Sequence, residues 1–229
     1  MKYEIILIDL DETIFDFKMA EKMALGKTIR AFGLEPTEEV ISRYHEINRG
    51  LWRQLEEGTV THQQVLEDRF GNLFAAFGME VDKAACGRAY GDGLSERHYW
   101  LPGAEEALEK LQGKYRLFIA SNGTASVQRR RMDSADLYRF FEDIFVSQEI
   151  GADKPNPAFF EGCFAKIPGF DRSKAMIVGD RISSDIVGGN NAGIATCWVN
   201  AAGETHDPAV RVDYEIKSLA ELPELLEKL

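Results

Sequence analysis

Five short, largely apolar runs limit what this chain can fold into: residues 5–8, 116–120, 144–147, 175–178 and 195–199. The first, Ile5-Ile6-Leu7-Ile8, is too short for a helix and rich in β-branched side chains, so it is predicted to be a buried strand. After Glu96 the other runs alternate with segments of helical pattern, at 103–111, from near Thr124, at 157–166 and from about Ser183. Such alternation predicts a parallel sheet with helices on both faces, a Rossmann-like α/β architecture. In sheets of that kind, chemistry collects at the carboxyl ends of the strands.

Between the first strand and the rest, residues 16–96 carry helical pattern almost throughout. Phe17, Met19, Met23, Ile29 and Phe32 predict one amphipathic helix ending at Gly33. A second opens at Thr37-Glu38-Glu39 and runs through Val40, Ile41, Tyr44, Ile47, Leu51 and Trp52 to Gly58. Thr61 caps a third, through Val65, Phe70, Leu73 and Phe74 to Gly78, and a fourth spans roughly 82–94. The expected division is therefore an α/β core of residues 1–15 and 97–229 with an all-helical insertion, 16–96, that reads as a cap. A length of 229 residues suits a core plus a smaller insertion.

Composition narrows the function classes. A net charge of −11 argues against a nucleic-acid polymer as partner, since that requires a basic face. Cys86, Cys163 and Cys197 are widely spaced and form no metal-binding or redox pair. There is no signal-like stretch and no long apolar span, so a cytoplasmic location away from membranes is expected. Asn122-Gly123-Thr124 fits a glycosylation pattern but carries no weight without a secretory signal. Oligomeric state is not readable.

Four motifs fall at predicted strand ends or the loops beyond them: Asp9-x-Asp11-x-Thr13, Ser121-Asn122-Gly123, Lys154-Pro155-Asn156-Pro157, and Gly179-Asp180 with Asp185. Singly, each has an ordinary structural explanation: a turn, a solvated lysine, an acid in the first turn of a helix. A site requires a shared sheet edge, whereas stability does not. Carboxylates meeting there repel one another unless a hard cation joins them, and all-oxygen ligands suit Mg²⁺ with substrate phosphate. One carboxylate can then attack phosphorus while a second donates a proton and later activates water. Ser121, Lys154 and the amides near Asn122 and Gly123 could hold the phosphoryl oxygens.

In this order the four motifs resemble those of the haloacid dehalogenase superfamily of aspartate-nucleophile phosphohydrolases, in the members with a helical cap. The resemblance implies that Asp9 is nucleophile and Mg²⁺ ligand, and that Asp11 is general acid/base and ligand through its carbonyl. It implies phosphoryl binding by Ser121, Asn122 and Lys154, metal coordination by Asp180, and for Asp185 either support of the metal through water or orientation of Lys154. Dehalogenases of the superfamily usually lack the second acid, so Asp11 argues against carbon–halogen hydrolysis. Thr13 favours hydrolysis over phosphomutase chemistry. Glu12 stands where relatives often have Gly or Asp, and Arg181 where a small residue is common.

The stretches Asn48-Arg49-Gly50-Leu51-Trp52, Glu57-Gly58-Thr59-Val60-Thr61 and 192–200 resemble pyrimidine 5′-nucleotidases, which implies a nucleoside monophosphate as substrate. The alternatives are a phosphatase for sugar phosphates or phosphoglycolate, and a non-catalytic phosphate-binding or regulatory protein of the same fold. Phe17 reads equally as pocket lining or cap packing; Trp52 reads first as core packing and second as a base-stacking surface. His45, His62, His98 and His206 share no ligand spacing. Arg129-Arg130-Arg131 reads as a solvated helix face, and 221–229 as a closing helix.

Overall fold

The structure, a computed structural model, describes residues 2–229. The chain divides into two compact units, one comprising the segment up to Phe17 with His98–Leu229, the other Lys18–Arg97.

The first unit is built on β1 (Ile5–Ile8), which lies in the interior of a six-stranded sheet. All its observed pairings are parallel, and the strand order is β3-β2-β1-β4-β5-β6. The other strands are β2 (Arg116–Ser121), β3 (Asp143–Val146), β4 (Ala175–Gly179), β5 (Ala195–Val199) and β6 (Tyr214–Ile216). Period-2 alternation explains why β1 is apolar throughout. Ile5 and Leu7 enter one core with Phe118, Phe145, Phe159, Phe160 and Ile177, while Ile6 and Ile8 enter the opposite one with Leu108, Ile119, Met176 and Val178. Each such side chain contributes roughly 1.5–3 kcal/mol when fully buried, so a one-residue slip in register would gain nothing and misplace Asp9. The sixth strand is not apparent in the sequence. It is a three-residue edge strand with an exposed Glu215, too short and too polar to stand out.

The second unit is helical: α1 (Phe17–Ala31), α2 (Glu38–Glu56), α3 (His62–Ala76) and α4 (Lys83–Ser95). The hydroxyl of Thr37 accepts from the Val40 amide, and Thr61 forms a reciprocal capping box with Gln64. The apolar stripe of α1 differs from the expected one. Met19 and Met23 are exposed, while Ala20, Ala24, Leu25 and Ile29 are buried, because small residues allow close helix approach; a Cβ on Gly93 would stand 3.0 Å from that of Ala24. The interior is also more polar than the pattern suggests. Tyr90 donates to Glu21 at 3.3 Å, and the Arg69 guanidinium lies 4.4 Å from the centroid of the Tyr90 ring.

The remaining helices belong to the sheet unit: α5 (Ala104–Leu111), α6 (Ala125–Ser134), α7 (Ser147–Ile150), α8 (Pro157–Phe164), α9 (Val187–Ala192) and α10 (Leu222–Glu227). A π-helical turn, Ile182–Ile186, precedes α9. None of the described helices is long and apolar enough to cross a membrane.

Candidate active site

β1 pairs with β2 on one side and β4 on the other, so connections leave it in both directions at its carboxyl end, where ligands of open α/β sheets bind. The Asp9 amide continues the ladder by donating to Val178 at 2.8 Å, which fixes the first acid just beyond the strand. The backbone then turns sharply: Ile14 and Phe15 both donate to the Leu10 carbonyl at 2.9 Å, and Glu12 adopts φ +61°. A non-glycine side chain in that left-handed region costs roughly 1–2 kcal/mol. Thr13 is fully buried, and its hydroxyl has no hydrogen-bond partner among the described residues.

Lys154 is the centre of the site. Only 1% exposed, its Nζ donates to Asp9 Oδ1, Asp185 Oδ1 and the Ala120 carbonyl, each at 2.6 Å. An ammonium has three protons, and all three are used. Lys154 thereby neutralises and orients the first acid. Asp185 is held by Lys154 on one oxygen and by the Arg181 amide, at 3.0 Å, on the other. Gly179 makes room for this carboxylate, since a Cβ there would lie 2.3 Å from the Asp185 Cγ. Asn122 uses its side chain on the backbone of Lys154, donating to the carbonyl at 2.9 Å and accepting from the amide at 2.8 Å. Its amide group is therefore a clamp on the lysine loop.

Asp9, Asp180 and Asp185 each offer a carboxylate oxygen within 4.8 Å of the others. Burial, opposed by Lys154 and reinforced by Asp185 and Asp11, raises the Asp9 pKa to about 7. Burial, with Asp9 and Asp185 adding to it, raises Asp180 to about 8, partly offset by Arg181 and Lys154. Burial pulls the Lys154 pKa down, but the Asp185 and Asp9 charges outweigh it and the net shift is upward. The acids outnumber the one lysine among them, and their oxygens converge. This donor set fits a hard divalent cation such as Mg²⁺.

Asp11 faces elsewhere. Its Oδ1 accepts from Arg131 Nη1 at 2.6 Å and its Oδ2 from Gln128 Nε2 at 2.8 Å, and its carboxylate is not one of the converging three. Gln128 Nε2 also donates to Ser121 Oγ at 3.0 Å, which leaves the serine hydroxyl proton available. The solvated-face expectation for the arginine run is corrected here. Arg129 pairs with Glu149 and Arg130 is exposed, but Arg131 is 1% exposed and turned inward. Sequence reasoning missed Gln128 and Arg131; their i,i+3 spacing on one helix face beside Met132, itself buried, was the signal. Phe17 is half-buried near Arg131, whose guanidinium carbon stands 5.7 Å from the ring centroid. Trp52 lies in the helical unit, edge-on to His62 with ring centroids 5.7 Å apart.

Fold and site together define an enzyme centre built from carboxylates on an open parallel sheet. The chain belongs to the haloacid dehalogenase-like hydrolases, whose family model matches residues 6–199. It is 37% identical to the HAD-hydrolase YfnB of Bacillus subtilis over 98% of this chain and 96% of the relative. The crystal structure of YfnB bound to magnesium superposes with a TM-score of 0.93, covering 99% of each chain. The pyrimidine 5′-nucleotidase PynA of Streptococcus pneumoniae is 33% identical over 100% of this chain and 97% of its own. The pyrimidine 5′-nucleotidase YjjG of Escherichia coli is 32% identical over 99% of each.

Proposed function

We propose that this protein is a Mg²⁺-dependent phosphomonoesterase that hydrolyses pyrimidine nucleoside 5′-monophosphates through a phosphorylated Asp9. The observation that carries the chemistry is the buried Lys154 holding Asp9 and Asp185 beside Asp180 at the carboxyl edge of the sheet. The substrate class is supported by two pyrimidine 5′-nucleotidases, PynA and YjjG, each at least 32% identical over nearly the full chain.

Asp9 and Asp180 would hold the cation, with Asp185 supporting the site. Bound there, the cation would screen the acids from an incoming phosphate and polarise its oxygens. With Oδ1 of Asp9 on Lys154, Oδ2 is the oxygen available to attack phosphorus. The ester P–O bond breaks as the new bond forms, and the departing oxygen takes a proton from Asp11. Ionised Asp11 then removes a proton from water, which attacks phosphorus; the bond to Asp9 breaks, and phosphate leaves. Ser121 supplies a donor to the phosphoryl oxygens through its hydroxyl.

The test is phosphate release with Mg²⁺ from a panel of pyrimidine and purine monophosphates, sugar phosphates and phosphoglycolate. The expected outcome is turnover of UMP, dUMP or dTMP, abolished in Asp9→Asn. Activity confined to sugar phosphates or phosphoglycolate would overturn the nucleotidase assignment. Undiminished activity in Asp9→Asn would overturn the mechanism.

A further inference from the structure

Helix α6 presents two buried polar side chains, Gln128 and Arg131, to the second acid of the site, and together they engage both of its oxygens. They also bond to each other, with Arg131 Nη1 donating to Gln128 Oε1 at 2.9 Å. Arg131 pairs with Asp11, while its Nε and Nη2 have no hydrogen-bond partner among the described residues. Its guanidinium carbon stands 5.4 and 5.7 Å from the centroids of the Phe15 and Phe17 rings. A buried guanidinium with two unsatisfied nitrogens is a poor choice for stability alone, since an apolar side chain of similar size would fill that space without the desolvation penalty. Room for the glutamine is equally specific. A Cβ on Gly123 would come within 3.1 Å of Gln128 Nε2.

We propose that Arg131 and Gln128 are positioning residues that fix the orientation of the Asp11 carboxylate for its proton transfer, an inference that rests on Asp11 being the proton donor. A carboxylate has about four lone-pair directions on its two oxygens. Arginine and glutamine each take one, which prevents rotation about the last side-chain bond and leaves the remaining directions for the transferred proton. Because Gln128 also bonds Ser121, the same amide ties the direction of the acid to the hydroxyl offered to the phosphoryl group.

The experiment compares two esters that differ in their need for a proton. A nucleoside monophosphate releases a poor alkoxide leaving group, whereas p-nitrophenyl phosphate releases a phenolate that departs unaided. Specificity constants, kcat/KM, are measured for both with the wild type, Arg131→Met, Gln128→Met and Arg131→Lys. The methionine variants should lose on the order of 100-fold on the nucleotide, the scale expected for a misdirected catalytic group. Loss on the nitrophenyl ester should stay within about 5-fold, because general-acid help is nearly redundant there. Arg131→Lys, which keeps a charged donor, should recover part of the nucleotide rate. Equal losses on both esters in the two methionine variants would overturn the inference and leave the phosphatase assignment standing. A wild type that hydrolyses neither ester overturns both. If Arg131→Met fails to fold, Gln128→Met, a near volume-conserving change, carries the comparison.

Discussion

Asp9 and Asp180 carry raised pKa values, about 7 and about 8 against an ordinary 3.8, because the fold confines several acids around one lysine. The folded protein holds these protons more tightly than the unfolded chain, so their ionisation disfavours the metal-free fold, and the penalty grows as pH rises through the folded values. A divalent cation reverses this only where the acids are ionised, since protons compete for the same oxygens. The Mg²⁺-induced rise in Tm should therefore be larger at about pH 8.5 than at about pH 5.5. Equal shifts at both pH values in thermal scans would mean that these acids do not bind the metal. Residue identity alone marks Asp9, Asp11, Ser121, Lys154, Asp180 and Asp185 as candidates, because carboxylates, a lysine and a hydroxyl are conspicuous beside apolar strands. It could not reveal that all three lysine protons are consumed inside the protein, since a donor count depends on what the folded loop brings near.

At the scale of elements, α9 packs closely against the sheet and α8. A Cβ on Gly189 would approach Ile177 to 2.5 Å and Thr196 to 2.7 Å, and one on Gly188 would approach Phe160 to 2.6 Å. Gly189→Ala is expected to destabilise the protein by about 2 kcal/mol, an overpacking cost, and to shift Asp185 through the adjoining π-helical turn. Denaturant unfolding together with phosphate release would check both effects; unchanged stability would show that the helix can retreat. Helices and strands of strong periodicity are legible in the sequence, including the Thr61 cap. The edge strand β6 is not, because three residues carry too little pattern. The inward turn of Arg131 was hidden by its two surface neighbours, since a run of like charges reads as one face until the helix phase is known.

On the scale of the molecule, the sheet order determines what must assemble before anything can react. Asp9 and Lys154 are 145 residues apart in the chain, and Lys154 is joined by Asp185 from a further segment. Loop closures this long favour slow folding through non-local contacts. Recovery of phosphate release after dilution from denaturant should therefore coincide with, or follow, the return of near-ultraviolet tertiary signal. Activity preceding that signal would mean the site forms without the complete sheet. The central place of β1 has a temporal consequence as well. Asp9 is synthesised 145 residues ahead of Lys154, its counter-charge. A growing polypeptide therefore carries Asp9 without that partner, and the ion pair closes only once the segment beyond β3 has been made and packed.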